Sequence, residues 1–176
     1  ANATGRPFTG DSAGGYLYHM LGRFGLVTST YGGHAGDGVV LNDVRITNAV
    51  RCVPPQNKPT SAEATSCRPF LAREIAAMTN LQTILALGKL AHDAVLRCFD
   101  CRLAANPFAP QSNYLIANNY QLFSSYHCSR YNTQTGRLTE AMFASVFTDI
   151  TGTMSMPQEN CLQKLLTWDS WLGIIS

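Results

Sequence analysis

Short apolar segments alternate with amphipathic helical segments along most of this chain, and this alternation constrains the fold more than any other feature. The segments with strand character are 44–50, 81–87, 114–116 and 120–125. The segments with helical spacing are 15–25, 60–78, 89–99 and 139–150. Strands that are separated by helices form a parallel sheet covered on both faces. We therefore predict an α/β fold, a three-layer sandwich with a short, mainly parallel central sheet flanked by helices.

Local signals define the segment between the first two predicted strands. Thr60 and Glu63 have the spacing of a capping box, which predicts the start of the helix over 60–78. Pro54, Pro55 and Pro59 fall within six residues just before it, and they predict a stiff loop without regular structure. Residues 1–176 are predicted to form a single domain, in which 162–175 is an amphipathic tail and the role of 151–176 is unknown.

The composition excludes several classes of protein. A chain that is 45% hydrophobic and 14% charged is not disordered. No apolar run approaches the roughly 20 residues of a membrane span and no signal peptide opens the chain, so we expect a cytoplasmic protein without membrane partners. The net charge of +2 is too small to identify a partner. Ten of the 13 basic residues are arginine, which suits phosphate or carboxylate binding, although genome composition can produce the same bias.

Six cysteines in a chain of 176 residues do not form a disulfide framework. Two of them, Cys98 and Cys101, form a C-x-x-C motif. Helix-like residues surround this motif, and the strand–helix–strand context of a redox motif is missing. We therefore favour a structural interpretation of the pair over a redox or metal-binding role.

The segment 4–11 has residue types that suit a ligand. Gly5 and Gly10 flank Phe8, so the backbone could approach a ligand closely while the ring stacks on it. The alternative is an ordinary turn in which Phe8 belongs to the core and Asp11 is the N-cap of the next helix. These residues by themselves favour that alternative.

His127 follows a predicted strand and precedes a polar loop over 127–138 that is rich in hydrogen-bond donors. Ligands of parallel α/β sheets bind at the carboxyl ends of the strands, so a functional and a structural role of His127 are both open. No nucleophilic serine motif, P-loop, dinucleotide-binding motif or zinc signature is present. A nucleotide-like or base-like ligand suits the stacking ring, the amide groups and the arginines of these loops.

Three stretches, in the right order and spacing, resemble motifs of the uracil-DNA glycosylase superfamily, most closely its family five. They are TGRPFTGD at 4–11, the Pro-rich loop AVRCVPPQNKPT at 49–60 and the His motif SYHCSRYNTQTGRLT at 125–139. The similarity extends over about residues 2–148. It implies the sandwich fold of that superfamily.

The resemblance also implies roles for individual residues. Asp11, Asn57 and His127 match the polar residues assigned to catalysis. Phe8 matches the aromatic residue that stacks on the extruded base, and Asn48 matches the strand-end asparagine that reads the uracil edge in related families. The segment 129–135 matches the loop that enters the duplex, and its expected DNA-binding residues are Ser129, Arg130, Tyr131 and Asn132.

Family-five enzymes carry a structural 4Fe-4S cluster on four cysteines, and Cys52 and Cys67 match the last two of these ligands, 15 positions apart. The first two ligands are expected upstream of Ala1, as is the first strand of the sheet. That strand lies inside the sheet, and removing it would leave two unpaired strand edges in the core. The cluster is therefore expected on condition that an upstream segment supplies the strand and the two ligands.

The resemblance implies an enzyme that hydrolyses the N-glycosidic bond of uracil, or of hypoxanthine or another deaminated or damaged base, flipped out of double-stranded DNA. The product would be an abasic site, the chemistry would need no metal, and the enzyme would be a monomer associated with the nucleoid. One alternative is a glycosylase-fold protein that binds DNA or a nucleotide without cleavage, and another is an electron-transfer protein built around the cluster. Binding alone would not require the set Asp11, Asn57 and His127, which favours the enzyme.

Overall fold

The computed structural model describes residues 4–51, 59–117, 120–154 and 172–176. The helices are α1 Ser12–Arg23, α2 Ser61–Ala76, α3 Lys89–Cys98, α4 Arg130–Gln134 and α5 Glu140–Met154. The strands are β1 Val44–Thr47, β2 Thr83–Leu87, β3 Asn113–Ile116, β4 Tyr120–Ser125 and β5 Leu172–Ile175. All of the predicted helices and strands are present, and α4 and β5 are additional elements.

The five strands form one sheet in the order β1-β5-β2-β4-β3. β1, β5, β2 and β4 run parallel to one another, and β3 pairs with β4 in the antiparallel direction at one edge. Every residue of β2 is buried, as expected for a strand that is covered on both faces. The prediction of a mainly parallel sheet is confirmed.

β5 corrects the prediction for the C-terminal residues. The segment 172–175 was expected to belong to an amphipathic tail, but all four of its residues are buried and lie between β1 and β2. At Gly173, a Cβ atom would lie 3.3 Å from Leu81 Cδ1, so the strand packs closely on its neighbours. β5 holds an interior position of the sheet, the kind of position that the resemblance assigns to a strand upstream of Ala1.

Helices cover both faces of the sheet, as the three-layer prediction requires. α1 and α5 cover one face, where Leu17 and Phe147 pack in the same buried cluster as Leu85. α2 and α3 cover the other face, where Leu71 packs in a second buried cluster with Ile84. None of the described helices is both long enough and apolar enough to cross a membrane.

Two local predictions at helix starts are confirmed. The Thr60 side chain accepts a hydrogen bond from the backbone N–H of Glu63, and the Glu63 side chain accepts one from the backbone N–H of Thr60. At α1, Asp11 is the N-cap, and its Oδ1 accepts a hydrogen bond from the Gly14 N–H at 2.7 Å. Both caps satisfy helix N–H groups that have no partner within the helix.

His92 has a structural role in the core. Its imidazole is fully buried on α3 and contacts the Ser124 hydroxyl and the Asn106 carbonyl oxygen, each at 2.8 Å. Because a carbonyl oxygen only accepts, Nε2 donates to Asn106 and Nδ1 accepts from Ser124. Both ring nitrogens are therefore occupied, and His92 is not available to a ligand.

Candidate active site

The carboxyl ends of the parallel strands lie at one edge of the sheet, and Asn48 and His127 lie at this edge. Asn48 directly follows β1, and its Oδ1 accepts a hydrogen bond of 2.9 Å from the Ser176 hydroxyl at the end of β5. His127 lies two residues after β4. Gly88, which follows β2, donates its N–H to the Ser125 carbonyl oxygen at 2.8 Å. Both side chains thus lie where a ligand site is expected in a parallel sheet.

The His127 imidazole is half-buried and stacks on the ring of Phe8, with 5.7 Å between the ring centroids and 23° between the planes. Gly88 also lies close to it, because a Cβ atom on that glycine would be 3.6 Å from His127 Cβ. Burial lowers the pKa of His127, while the negative charge of Asp11 acts in the opposite direction. The imidazole is therefore neutral at neutral pH, and it can donate one N–H to a ligand.

The Phe8 backbone adopts a conformation that is uncommon for an aromatic residue. Its φ of 55° lies in the left-handed region. Phe8 is 7% exposed and belongs to the core cluster on the α1 face, so the interpretation of Phe8 as a core residue is confirmed. Gly14 permits this turn, because a Cβ atom there would lie 2.0 Å from the Phe8 carbonyl oxygen. Phe8 is thus both a core residue and a neighbour of His127.

An ion pair that the sequence analysis missed anchors the segment 4–11. The Arg6 guanidinium donates to both carboxylate oxygens of Asp37 at 2.7 Å and to the Thr9 hydroxyl oxygen at 2.8 Å. The hydrogen bond from Arg6 holds the pKa of Asp37 well below its usual range, and the N–H groups of Val39 and Gly32 act in the same direction. Arg6 and Asp37 are 31 positions apart, and no sequence spacing connects them.

Asp11 combines two features. As the N-cap of α1 it confirms the structural interpretation, since its Oδ1 accepts from Gly14. The residue is nevertheless exposed, and its charge acts on the pKa of His127.

Cys128, the residue after His127, is buried, and its Sγ donates to the Ala13 carbonyl oxygen at 3.5 Å. Burial raises the pKa of the Cys128 thiol to about 12, so this sulfur stays protonated.

The segment after His127 is partly helical, although a loop was predicted. α4 begins after its N-cap Ser129, whose side chain accepts a hydrogen bond from the Asn132 N–H. The Asn132 side chain also donates through Nδ2 to the His127 carbonyl oxygen at 2.8 Å. In contrast, Tyr131 is 69% exposed, and Arg130 is exposed as well. Asn132 therefore holds the backbone at His127, while Tyr131 projects into solvent.

The remaining predicted site residues are the catalytic candidate Asn57 and the cysteines. Asn57 and Cys52 lie outside the described residues. Cys67 is buried on α2, and the described portion of the chain contains no group of three or more potential metal-ligating side chains. Cys98 and Cys101 are half-buried thiols at the end of α3, and burial raises the pKa of Cys98. The structural interpretation of the C-x-x-C motif stays a prediction.

Comparisons with known proteins agree with the fold and the motifs. A family model described as the uracil DNA glycosylase superfamily matches residues 1–151. The chain is 43% identical over 146 residues to the type-5 uracil-DNA glycosylase of Thermus thermophilus, covering 83% of this chain and 66% of the relative. It is 42% identical over 153 residues to the type-5 enzyme of Mycobacterium leprae, covering 85% and 66%. The type-5 enzyme of Pyrobaculum aerophilum is 39% identical over 145 residues, covering 82% and 62%. The chain thus spans slightly less than two thirds of the length of these relatives.

Proposed function

Because the chain belongs to the uracil DNA glycosylase superfamily, we propose that it hydrolyses the N-glycosidic bond of uracil flipped out of double-stranded DNA and leaves an abasic site. The observation that carries this proposal is the half-buried His127 imidazole, stacked on Phe8 at the carboxyl edge of the sheet. A base inside a duplex cannot be attacked, so the nucleotide must first be extruded into a pocket. Hypoxanthine and other deaminated or damaged bases are further candidate substrates.

His127 is proposed to donate a hydrogen bond to the oxygen of the departing base. Cleavage places positive charge on the sugar and negative charge on the base, as in glycoside hydrolysis. A donor that is aimed at the developing anion is worth about 3 kcal/mol in the transition state. The Phe8 ring and the hydrogen bond from Asn132 support this role because they restrict the position of His127 before the base arrives.

Asp11 and Asn57 are proposed to position or polarise the attacking water, and Asp11 also to stabilise the cationic sugar. The exposure of Asp11 and its effect on His127 support a place beside the reacting bond. Its N-cap hydrogen bond uses Oδ1 and fixes the carboxylate against α1. A fixed carboxylate loses little conformational entropy when it orients water, which suits this role.

Phe8 and Asn48 are proposed to bind the extruded uracil, Phe8 by stacking and Asn48 through its amide. The hydrogen bond from Ser176 to Asn48 Oδ1 supports this assignment, because it holds the amide in one orientation at the edge of the sheet. A polar group that is held in place discriminates among base edges better than a mobile one.

A panel of duplexes, each with one modified base, tests the proposed function. We expect alkali-labile sites in the duplex that contains uracil and no cleavage of the undamaged duplex. If the protein bound the uracil duplex but produced no alkali-labile site, the result would favour the alternative of a binding protein. The same panel ranks uracil against hypoxanthine and other bases.

Ser129, Arg130, Tyr131 and Asn132 are proposed to contact DNA, with the exposed Tyr131 entering the duplex where the base leaves. Extrusion costs a few kcal/mol of stacking and pairing, and an inserted side chain lowers that cost. Tyr131→Ala should therefore reduce excision most for uracil opposite adenine, less opposite guanine, and least in single strands. Excision rates on these three substrates measure the effect.

Leu115→Ala is the matched control for Tyr131→Ala, because Leu115 is 65% exposed on the edge strand β3. It should change none of the three rates by more than about twofold, since a surface substitution away from the site has little effect. An equal loss on all three substrates in Tyr131→Ala would contradict a role of Tyr131 in base extrusion.

We further propose that Cys52 and Cys67 bind a structural 4Fe-4S cluster with two cysteines from a segment upstream of Ala1. The thiol of Cys67 is free in the structure, which supports this because iron–sulfur clusters are held by cysteine thiolates. The described residues alone do not form a cluster site, and no step of the proposed reaction uses the cluster. Iron content is to be measured in protein produced with any upstream segment and purified without oxygen.

In that measurement, Cys67→Ser should abolish iron binding, whereas Cys101→Ser, at a half-buried cysteine of the C-x-x-C motif, should retain it. Absence of iron from the unsubstituted protein would contradict the cluster.

The proposed partner of the enzyme is double-stranded DNA of the nucleoid, and the proposed state is a monomer.

A further inference from the structure

The hydroxyl group of Tyr31 holds the turn that carries Phe8. It donates a hydrogen bond to the Phe8 carbonyl oxygen at 2.9 Å and accepts one from the Gly10 N–H at 3.1 Å. These two bonds connect both ends of the turn to a residue that is 23 positions away from Phe8. One hydroxyl group thus uses its donor and an acceptor site to close the turn.

The Tyr31 ring is itself fixed by its surroundings. It stacks on the Tyr18 ring, with 4.4 Å between the centroids and 5° between the planes. The Arg6 guanidinium, which is held by Asp37, lies 5.6 Å from the Tyr31 centroid. Aromatic stacking and a nearby guanidinium both favour one ring position. These contacts hold the hydroxyl close to the turn.

The turn needs such support because Phe8 is in the left-handed region. A non-glycine residue keeps a strained conformation only where its surroundings enforce it. Around Phe8, these surroundings are the Tyr31 hydroxyl, the space left by Gly14 and the hydrogen bonds that anchor Arg6 in the same segment. Loss of the hydroxyl removes both of its hydrogen bonds to the turn, and we expect the Phe8 ring to shift from the position in which it stacks on His127.

We propose that Tyr31 is a positioning residue of the reaction, which acts through the Phe8 turn to keep the Phe8 ring on His127 and thereby orients the imidazole. The inference rests on the proposed function of His127. Tyr31 itself reaches neither the base nor the sugar in this scheme. Its contribution is the placement of the ring that restricts the imidazole.

Tyr31→Phe tests the proposal, because it removes the hydroxyl and keeps the stacked ring. We expect a single-turnover rate of uracil release that is lower by about tenfold to a hundredfold, the range in which small displacements of catalytic groups fall. Because Phe8 is also proposed to stack on the extruded uracil, binding is measured with an undamaged duplex, whose dissociation constant should stay within about twofold. Thermal unfolding of the variant is measured alongside to show that it folds.

Tyr18→Phe is the matched control. The Tyr18 ring stacks on Tyr31, and its hydroxyl is buried without a hydrogen-bond partner among the described residues. The substitution thus removes an identical group from the same ring pair but breaks no hydrogen bond to the turn. Its rate of uracil release should lie within about twofold of the unsubstituted protein.

A second measurement, the NMR titration of the His127 imidazole in the free protein, does not depend on catalysis. Burial lowers the pKa of His127, and Asp11 is the charged group that acts on it. Loss of the Phe8 ring from the imidazole should raise this pKa in Tyr31→Phe and leave it unchanged in Tyr18→Phe.

A double-mutant cycle shows whether Tyr31 acts through Phe8. If it does, adding Tyr31→Phe to Phe8→Ala should lower the rate no further. A rate of uracil release in the double variant that is tenfold or more below that of Phe8→Ala would overturn the proposal. An unchanged pKa of His127 in Tyr31→Phe would overturn it as well. If the unsubstituted protein released no uracil, the proposed function would fail, whereas the titration would still decide whether Tyr31 positions the ring.

Discussion

Replacing His127 by alanine should lower the rate of uracil release by about 10²- to 10³-fold, the loss seen when one donor to a developing oxyanion is removed. The dissociation constant for the duplex should stay within about twofold, because the proposed interaction forms only in the transition state. Single-turnover kinetics with a uracil duplex measure the first quantity and fluorescence anisotropy the second. Asn57→Ala should show the same separation of rate from binding.

The control for this experiment is His19→Ala. His19 is exposed on α1 and is not among the residues of the candidate site. Loss of this imidazole should leave the rate and the duplex affinity unchanged. A His127→Ala protein that released uracil at the unsubstituted rate would show that the imidazole does not act on the leaving base.

Substitutions at Ile174 should have the largest effect on stability, because β5 lies inside the sheet and Ile174 is fully buried. Ile174→Ala should lower the free energy of unfolding by about 2–5 kcal/mol, the usual cost of such a truncation in a core. Ile174→Asp would place an unpaired carboxylate there, and we expect no cooperative unfolding transition from that variant. Urea unfolding followed by circular dichroism measures both.

Leu115→Ala serves as the control for the stability experiment as well. Leu115 lies on the edge strand β3 and is exposed, so its truncation should change the free energy of unfolding by no more than about 0.5 kcal/mol. An equally small change in Ile174→Ala would mean that β5 does not occupy the interior of the sheet in solution.

Several parts of the candidate site followed from the sequence, although the contacts within it did not. The position of His127 after a strand predicted that it lies at the carboxyl edge of the sheet, where the structure has it. The same position did not reveal the ring of Phe8 against the imidazole, or the hydrogen bond from Asn132 to its carbonyl oxygen. Residues 8 and 127 are far apart along the chain, and only the packing of α1 on the sheet brings them together.

The sequence by itself determined the elements whose signals are local. The capping box at Thr60 and the N-cap at Asp11 satisfy N–H groups within three residues of themselves, so their geometry is contained in a few neighbouring positions. The apolar run of β2 likewise predicted a strand that is buried on both faces.

Tertiary structure alone decided the place of β5 and the network that supports the Phe8 turn. A segment of four residues carries too little pattern to identify its neighbours, and its interior position depends on hydrogen bonds to β1 and β2. In the same way, the Arg6–Asp37 pair and the Tyr31 hydroxyl join residues 31 and 23 positions apart. Such contacts form only after the chain has folded, because the partners share no local backbone geometry that could place them side by side.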